Sequence, residues 1–190
     1  MIKTKIKRRK VAWGITGGGD KLYETISVMK KLRNKYRDKT DVWVFLSRAG
    51  EHVAKLYGTL EELRKCFDMV FVELNVNVPF LAGSMQTGKF EFLIVAPASS
   101  NTIAKVAVGI ADTMLTSAVI MGLKANREII VMPTDCKEGK IVTTLPNGRE
   151  LRLRIRSEDV ENVEKLRRMD GMTVIEGPQE IPKLFKKHFD

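Results

Sequence analysis

Residues 92–102 read Phe92-Leu93-Ile94-Val95-Ala96-Pro97-Ala98-Ser99-Ser100-Asn101-Thr102. The first five form an apolar run, the pattern of a central parallel strand covered on both faces. Pro97 is expected to stop it. Ser99 opens a helical pattern to Val108 and suits its cap. A cap needs one such side chain, so three of the four polar residues Ser99, Ser100, Asn101 and Thr102 are left to meet a planar polar ligand. In an open parallel sheet such a ligand sits beyond the carboxyl ends of the strands, where chain order reverses.

Working outward, Val11 to Thr16 reads as a buried first strand, followed by Gly17-Gly18-Gly19 and a helix over Lys21 to Tyr36 with Leu22, Ile26, Met29 and Leu32 on one face. A strand over Asp41 to Leu46, short helices over 50–57 and 60–67, and a strand over Met69 to Val72 complete a β-α-β-α-β order. Residues 74–89 hold Pro79, Gly83 and Gly88 and read as irregular, or as a broken short helix. Beyond the quoted stretch, Asp112 is expected to cap a helix to Leu123, and Glu128 to Met132 is the next strand. Lys140 to Leu145 and Glu150 to Ile155 flank Pro146-Asn147-Gly148, a hairpin signal. A charged helix from Ser157 to Arg168, a short strand over Thr173 to Ile175 and Pro178 to Phe185 finish the chain. The expected fold is therefore a three-layer α/β domain over residues 11–190. It has a parallel Rossmann-like (flavodoxin-like) sheet, helices on both faces and an inserted β-hairpin near residues 140–155, and it follows a basic tail over residues 1–10.

The chain has 190 residues, 44% of them hydrophobic, enough to bury roughly 70% of the unfolded surface in one core. Its formal charge is +10, which suits an acidic partner or nucleic acid. Part of the excess is the tail, which includes Lys3, Lys5, Lys7 and Arg8; no aromatic residue interleaves there, which argues against a nucleic-acid platform. Cys66 and Cys136 stand alone and no secretory segment opens the chain, so the expected compartment is cytoplasmic. Two cysteines cannot supply the thiolates of an iron–sulfur cluster. No apolar run reaches the roughly 20 residues that span a bilayer, so no membrane partner is expected.

Six further residues, at three places in the chain, join the quoted stretch as site candidates. The amides of Gly17, Gly18 and Gly19 can approach a phosphate with no Cβ in the way, although an ordinary glycine turn reads the same. Ser47 ends the second strand, where it either caps a helix or donates to that phosphate. Thr116 and Ser117 sit inside a helix, where such residues are disfavoured.

The block Ala96 to Lys105, continued by Gly109-Ile110-Ala111-Asp112 and Leu115-Thr116, resembles the "PASANT" block of the FMN-containing cysteine decarboxylase superfamily. The glycine loop, Ser47 and the segment Leu166 to Ile175 fit the same pattern. The resemblance implies FMN as cofactor. Gly17, Gly18 and Ser47 would hold its phosphate, and Ser99, Ser100, Asn101, Thr102 and Thr116 would line the ribityl chain and ring. It also implies a homo-oligomer with the flavin pocket between subunits, a trimer or multiple of trimers being favoured and a dimer left open.

The decarboxylases carry a histidine before the fourth strand, but residues 82–91 have none, and His52 and His188 lie in other helices. The chain as a whole is more similar to the archaeal flavoprotein branch, which contains acceptor-type dihydromethanopterin reductases. That branch implies ferredoxin as electron donor and a pterin as acceptor. Lys137, Lys140, Arg149, Arg152, Arg154 and Arg156 would lie nearest the ferredoxin, unless they only keep an edge strand solvated. Two alternatives stay open: a flavin-dependent decarboxylase of a cysteine-containing substrate, with Asn101 on the carboxylate, and an electron carrier without a small substrate.

Overall fold

A computed structural model describes residues 8–190. Lys3, Lys5 and Lys7 of the expected tail lie outside the described residues. The tail is shorter than expected at its other end, because Arg9 and Lys10 already belong to β1 (Arg9–Ile15), paired with Thr40 and Asp41.

After β1 come α1 (Leu22–Lys35), β2 (Thr40–Leu46), α2 (Arg48–Leu56), α3 (Leu60–Cys66), β3 (Met69–Val72), α4 (Leu81–Gln86) and β4 (Phe92–Ala98). The second half adds α5 (Ser100–Ala107), α6 (Met114–Lys124), β5 (Glu128–Pro133), β6 (Gly139–Thr144), β7 (Glu150–Ile155), α7 (Ser157–Arg167), β8 (Met172–Val174) and α8 (Ile181–Phe189). Six strands form a parallel sheet in the order β3-β2-β1-β4-β5-β8. This is the doubly wound order in which the chain builds outward from β1 on one side, then returns to build on the other.

Both sheet faces are covered, which is why β4 could be written in apolar residues and is buried throughout. One layer packs Leu22, Ile26 and Met29 of α1, Leu63 of α3 and Phe185 and Phe189 of α8 against the sheet. The other packs Met85 of α4, Ile103 and Val106 of α5, Leu115 of α6 and Leu166 of α7. Trp13 is fully buried in the first layer; its indole N–H donates to the Ala96 carbonyl at 2.7 Å, so the polar atom is satisfied.

Several expectations change. Pro97 does not end β4. The strand runs to Ala98, with a register irregularity between Val95 and Ala98 that absorbs the missing proline N–H before pairing resumes with Pro133. Asp112 does not cap α6; it pairs with Lys105 at 2.7 Å, and Thr113 caps instead. Thr113 Oγ1 accepts the Thr116 N–H at 3.1 Å while Thr116 Oγ1 accepts the Thr113 N–H at 3.0 Å. This reciprocal cap accounts for a threonine that looked misplaced in a helix interior. Ser99 has the extended backbone of a cap, but its side chain makes no cap hydrogen bond. Residues 74–89 contain the short helix α4, one of the two readings given for them, and the closing segment runs further than Phe185, as a helix that reaches Phe189 and buries Phe185 and Phe189.

The ribbon β6–β7 forms as expected. Gly148 takes φ +82° and its N–H donates to the Leu145 carbonyl at 2.9 Å. Lys140 pairs with Arg154 and Val142 with Arg152, which puts the basic side chains of both strands on one face. At the ribbon's exit, Asp159 accepts from the Arg156 backbone N–H at 3.2 Å and from its guanidinium at 2.6 and 2.9 Å. The Arg156 hydrogen bonds hold the Asp159 carboxyl below the ordinary aspartate value of 3.8. A depressed folded pKa contributes stability that is present above 3.8 and is lost as pH falls through the lower folded value. The urea-midpoint difference between the protein and Asp159→Asn is therefore expected to be constant from neutral pH to about pH 5 and to close on further acidification. A difference independent of pH would contradict this.

Candidate functional site

The chain reverses between β1 and β4, and the loops leaving those strands are stitched together by Thr16, a residue 2% exposed. Its hydroxyl donates to the Pro97 carbonyl at 3.1 Å and accepts the Ser99 N–H at 2.8 Å, and its own N–H reaches Pro97 at 3.2 Å. Beside this stitch a crevice of about 530 Å³ opens at the carboxyl end of the sheet. That volume suits a small-molecule site.

Of the sequence-predicted residues, Gly17, Ser47, Ser99, Asn101 and Thr102 line the crevice. The others take supporting positions. Gly18 lies against Thr134 and Ser99, where a Cβ would come within 2.7 Å of the Thr134 methyl. Gly19 lies under the Tyr57 hydroxyl. The Ser100 hydroxyl donates to Asp135, which also accepts from Thr134 Oγ1 at 2.9 Å. Thr116 is 1% exposed and committed to the α6 cap.

The residue that sequence reading missed is Glu73, 7% exposed and in the crevice wall. One carboxylate oxygen accepts the Arg48 N–H at 3.2 Å and the other accepts the Met114 N–H at 2.9 Å. It thus satisfies the amino ends of α2 and α6 together, with its charge against the positive ends of both helix dipoles. The only signal was a carboxylate directly following an apolar strand. Ser47 completes the α2 start by accepting the Gly50 N–H at 2.9 Å, which leaves its own hydroxyl proton to donate. At α5 the situation is the reverse. No side chain caps it; the Ser99 N–H is taken by Thr16, and Asn101 and Thr102 of the first turn line the crevice. Of the three helix starts around the crevice, α5 is the one with amides open to an anion.

Neither histidine reaches this site. His52 is exposed on α2, and His188 on α8 lies 2.9 Å from Glu128, which opens β5 at the amino end of the sheet, opposite the crevice. On the far side of the glycine loop, burial pushes the half-buried Asp20 carboxyl up, opposed by Lys21 and reinforced by Glu24 and Asp135. Burial likewise raises the Cys136 thiol, which lies near Lys21 and Asp135.

A doubly wound parallel sheet with an open helix start, a glycine loop and hydroxyl donors at its switch point is the architecture of proteins that bind phosphate-bearing cofactors. The chain belongs to the Flavoprotein family, whose model matches residues 2–187. It is 47% identical over 181 residues to an uncharacterised protein of Methanocaldococcus jannaschii, covering 95% of this chain and 96% of the relative. It is 29% identical to the dihydromethanopterin reductase (acceptor) of the same organism, over 93% of this chain and 95% of that one. The structure of Burkholderia xenovorans DmrB in complex with FMN, described as a cubic protein cage for redox transfer, superposes with a TM-score of 0.81 at 32% identity, covering 96% of both chains. No helix among the described residues is long and apolar enough to cross a membrane.

Proposed function

We propose that this chain is an FMN-dependent oxidoreductase that receives electrons from ferredoxin and reduces a dihydropterin. The observation that carries the reading is the switch-point crevice with the uncapped α5 start in its wall. The phosphate would be held by the α5 amides, Gly17 and the free Ser47 proton, and Asn101 and Thr102 would meet the polar parts of the flavin. Gly18, Gly19, Ser100 and Thr116 would shape these positions from behind. The acceptor reading is supported by the relatives named dihydromethanopterin reductase (acceptor). FMN suits it because a flavin takes electrons singly from an iron–sulfur donor and delivers them as a pair. The exposed Arg152 and Arg154 of the ribbon would face the acidic donor, with an encounter weakened by salt. The decarboxylase reading finds no histidine in the crevice wall to support it.

The segments that supply the crevice lining carry an apolar rim open to solvent: Leu74 and Phe80 flank the lining residues Asn75 and Val76 in the chain and are 64% and 66% exposed, and Val108, ahead of the lining residues Asp112 and Thr113, is 61% exposed. A second copy of the chain would cover this rim, as a trimer or a multiple of one. Phe80→Asp with Val108→Asp is expected to yield monomers in light scattering and to weaken FMN binding by about tenfold or more, since one charge in an apolar contact costs several kcal/mol. An unchanged mass would remove the rim from the interface.

The function is tested by the visible spectrum before and after anaerobic addition of reduced ferredoxin, followed by a dihydropterin. Flavin bands that bleach and then recover with the dihydropterin are expected. Bleaching without dihydropterin turnover would favour an electron carrier, and a colourless protein that FMN cannot reconstitute would overturn the reading.

A further inference from the structure

Among the described residues, three charged side chains line the crevice: Arg48, Glu73 and Asp112. Two of them are matched within the fold. Glu73 answers the starts of α2 and α6, and Asp112 is held by the Lys105 ammonium at 2.7 Å. Arg48 is exposed, and its guanidinium donates to the Leu74 carbonyl rather than to any described carboxylate. The wall therefore carries one positive charge that no described acid offsets.

The placement of Arg48 runs against the local rule. It is the first residue of α2, directly after the capping Ser47. A cation there meets the positive end of the helix dipole, where acids are favoured. Helices α3 and α7 follow the rule, with Glu61 and Glu62, and Glu158 and Asp159, in their first turns. The fold nevertheless fixes Arg48 from two sides. Glu73 accepts its backbone N–H at 3.2 Å, while its guanidinium holds the carbonyl of the following residue, Leu74. The end of β3 and the start of α2 are thus clasped reciprocally. A guanidinium carries five N–H donors, and one carbonyl engages only part of them. A local preference that is broken and then supported from elsewhere in the fold is the mark of a functional position.

We propose that Arg48 is a phosphate-binding residue of the crevice and the one that makes it select FMN over riboflavin, which has the same ring and no phosphate. The proposal rests on the oxidoreductase reading above, which places FMN in this crevice, and deepens it. Gly17 and the Ser47 hydroxyl offer the phosphate neutral donors only. Arg48, next in the chain to Ser47, adds a full positive charge to a group that carries about −1.5 to −2 charges at neutral pH. Its planar fork suits two phosphate oxygens at once, a contact stronger than one between neutral groups. The Leu74 carbonyl orients that fork before the ligand arrives, so less side-chain freedom is lost on binding.

The test titrates the full chain, stripped of bound flavin, with FMN and with riboflavin. Arg48→Gln is expected to bind FMN about tenfold more weakly and riboflavin as the unaltered protein does. Arg48→Lys keeps the charge without the fork and should fall between the two for FMN. Raising the salt from about 0.05 M to 0.5 M should weaken FMN binding to the unaltered protein more than to Arg48→Gln, because the charge that salt screens is gone from the variant. An Arg48 that only positions the wall through Leu74 would instead lower both flavins together in Arg48→Gln. That result, or an FMN-to-riboflavin ratio equal to that of the unaltered protein, would overturn the proposal. Should the unaltered protein bind neither flavin, the oxidoreductase reading itself would fail.

Discussion

Gly50→Ala is expected to destabilise the protein by about 3 kcal/mol, the upper part of the range for forcing extra volume into a packed interior. A Cβ at this position would stand 2.2 Å from the Ile15 carbonyl oxygen and 2.9 Å from its carbon. Both are backbone atoms of β1, which is paired on both sides and cannot swing away. Relief requires α2 to move outward, carrying Ser47 and its bond to the Gly50 N–H with it. FMN affinity should therefore fall along with the denaturation midpoint. Gly83→Ala makes the contrast. Its Cβ would meet the Phe80 ring at 2.0 Å, but that ring is 66% exposed and free to rotate. Alanine is also a better helix former than glycine by about 1 kcal/mol. Gly83→Ala is thus expected to be neutral or slightly stabilising, and a Gly50→Ala protein equally stable would contradict the close approach of α2 to β1.

The second large effect is expected at Glu73. Its removal in Glu73→Ala leaves the Met114 N–H buried and unpaired and the part-buried Arg48 N–H to water, at a cost of about 3 kcal/mol for the loss of two hydrogen bonds to a charged group. Glu73→Gln keeps one acceptor oxygen and should lose roughly half as much. The ligand responds in the opposite sense. Removing a negative charge from the crevice wall should strengthen binding of a phosphate-bearing flavin relative to riboflavin, which lacks the phosphate. Urea denaturation and flavin titration of Glu73→Gln separate the two. Lower stability with an unchanged FMN-to-riboflavin ratio would place the phosphate away from Glu73.

Much of this molecule was legible in the chain because the relevant signals are local. The apolar run of β4, the helical spacing of Leu22, Ile26, Met29 and Leu32, and the Asn147-Gly148 turn each depend on neighbours a few residues away, and each formed as read. The hydroxyl-rich start of α5 was visible as a surplus over what one cap needs, and Ser99, Asn101 and Thr102 do face the crevice.

Tertiary structure decided what depends on partners distant in the chain. Asp112 is by type the stronger cap, yet in the fold it pairs with Lys105 and Thr113 caps α6. Pro97 could remain in β4 because its missing N–H falls at an irregularity in pairing with β5. Glu73 is an unremarkable acid until folding brings the starts of α2 and α6, 25 and 41 residues away, to its two oxygens. The same event separates the glycine loop's two faces, giving Gly17 to the crevice and Asp20 to a cavity beside β6. Local sequence determined which segments became strands, helices and turns, since propensity and periodicity act along the chain. Which polar groups remained free for a ligand was decided by the fold, because a donor or acceptor is free only when no group elsewhere in the chain has been brought within hydrogen-bonding distance of it.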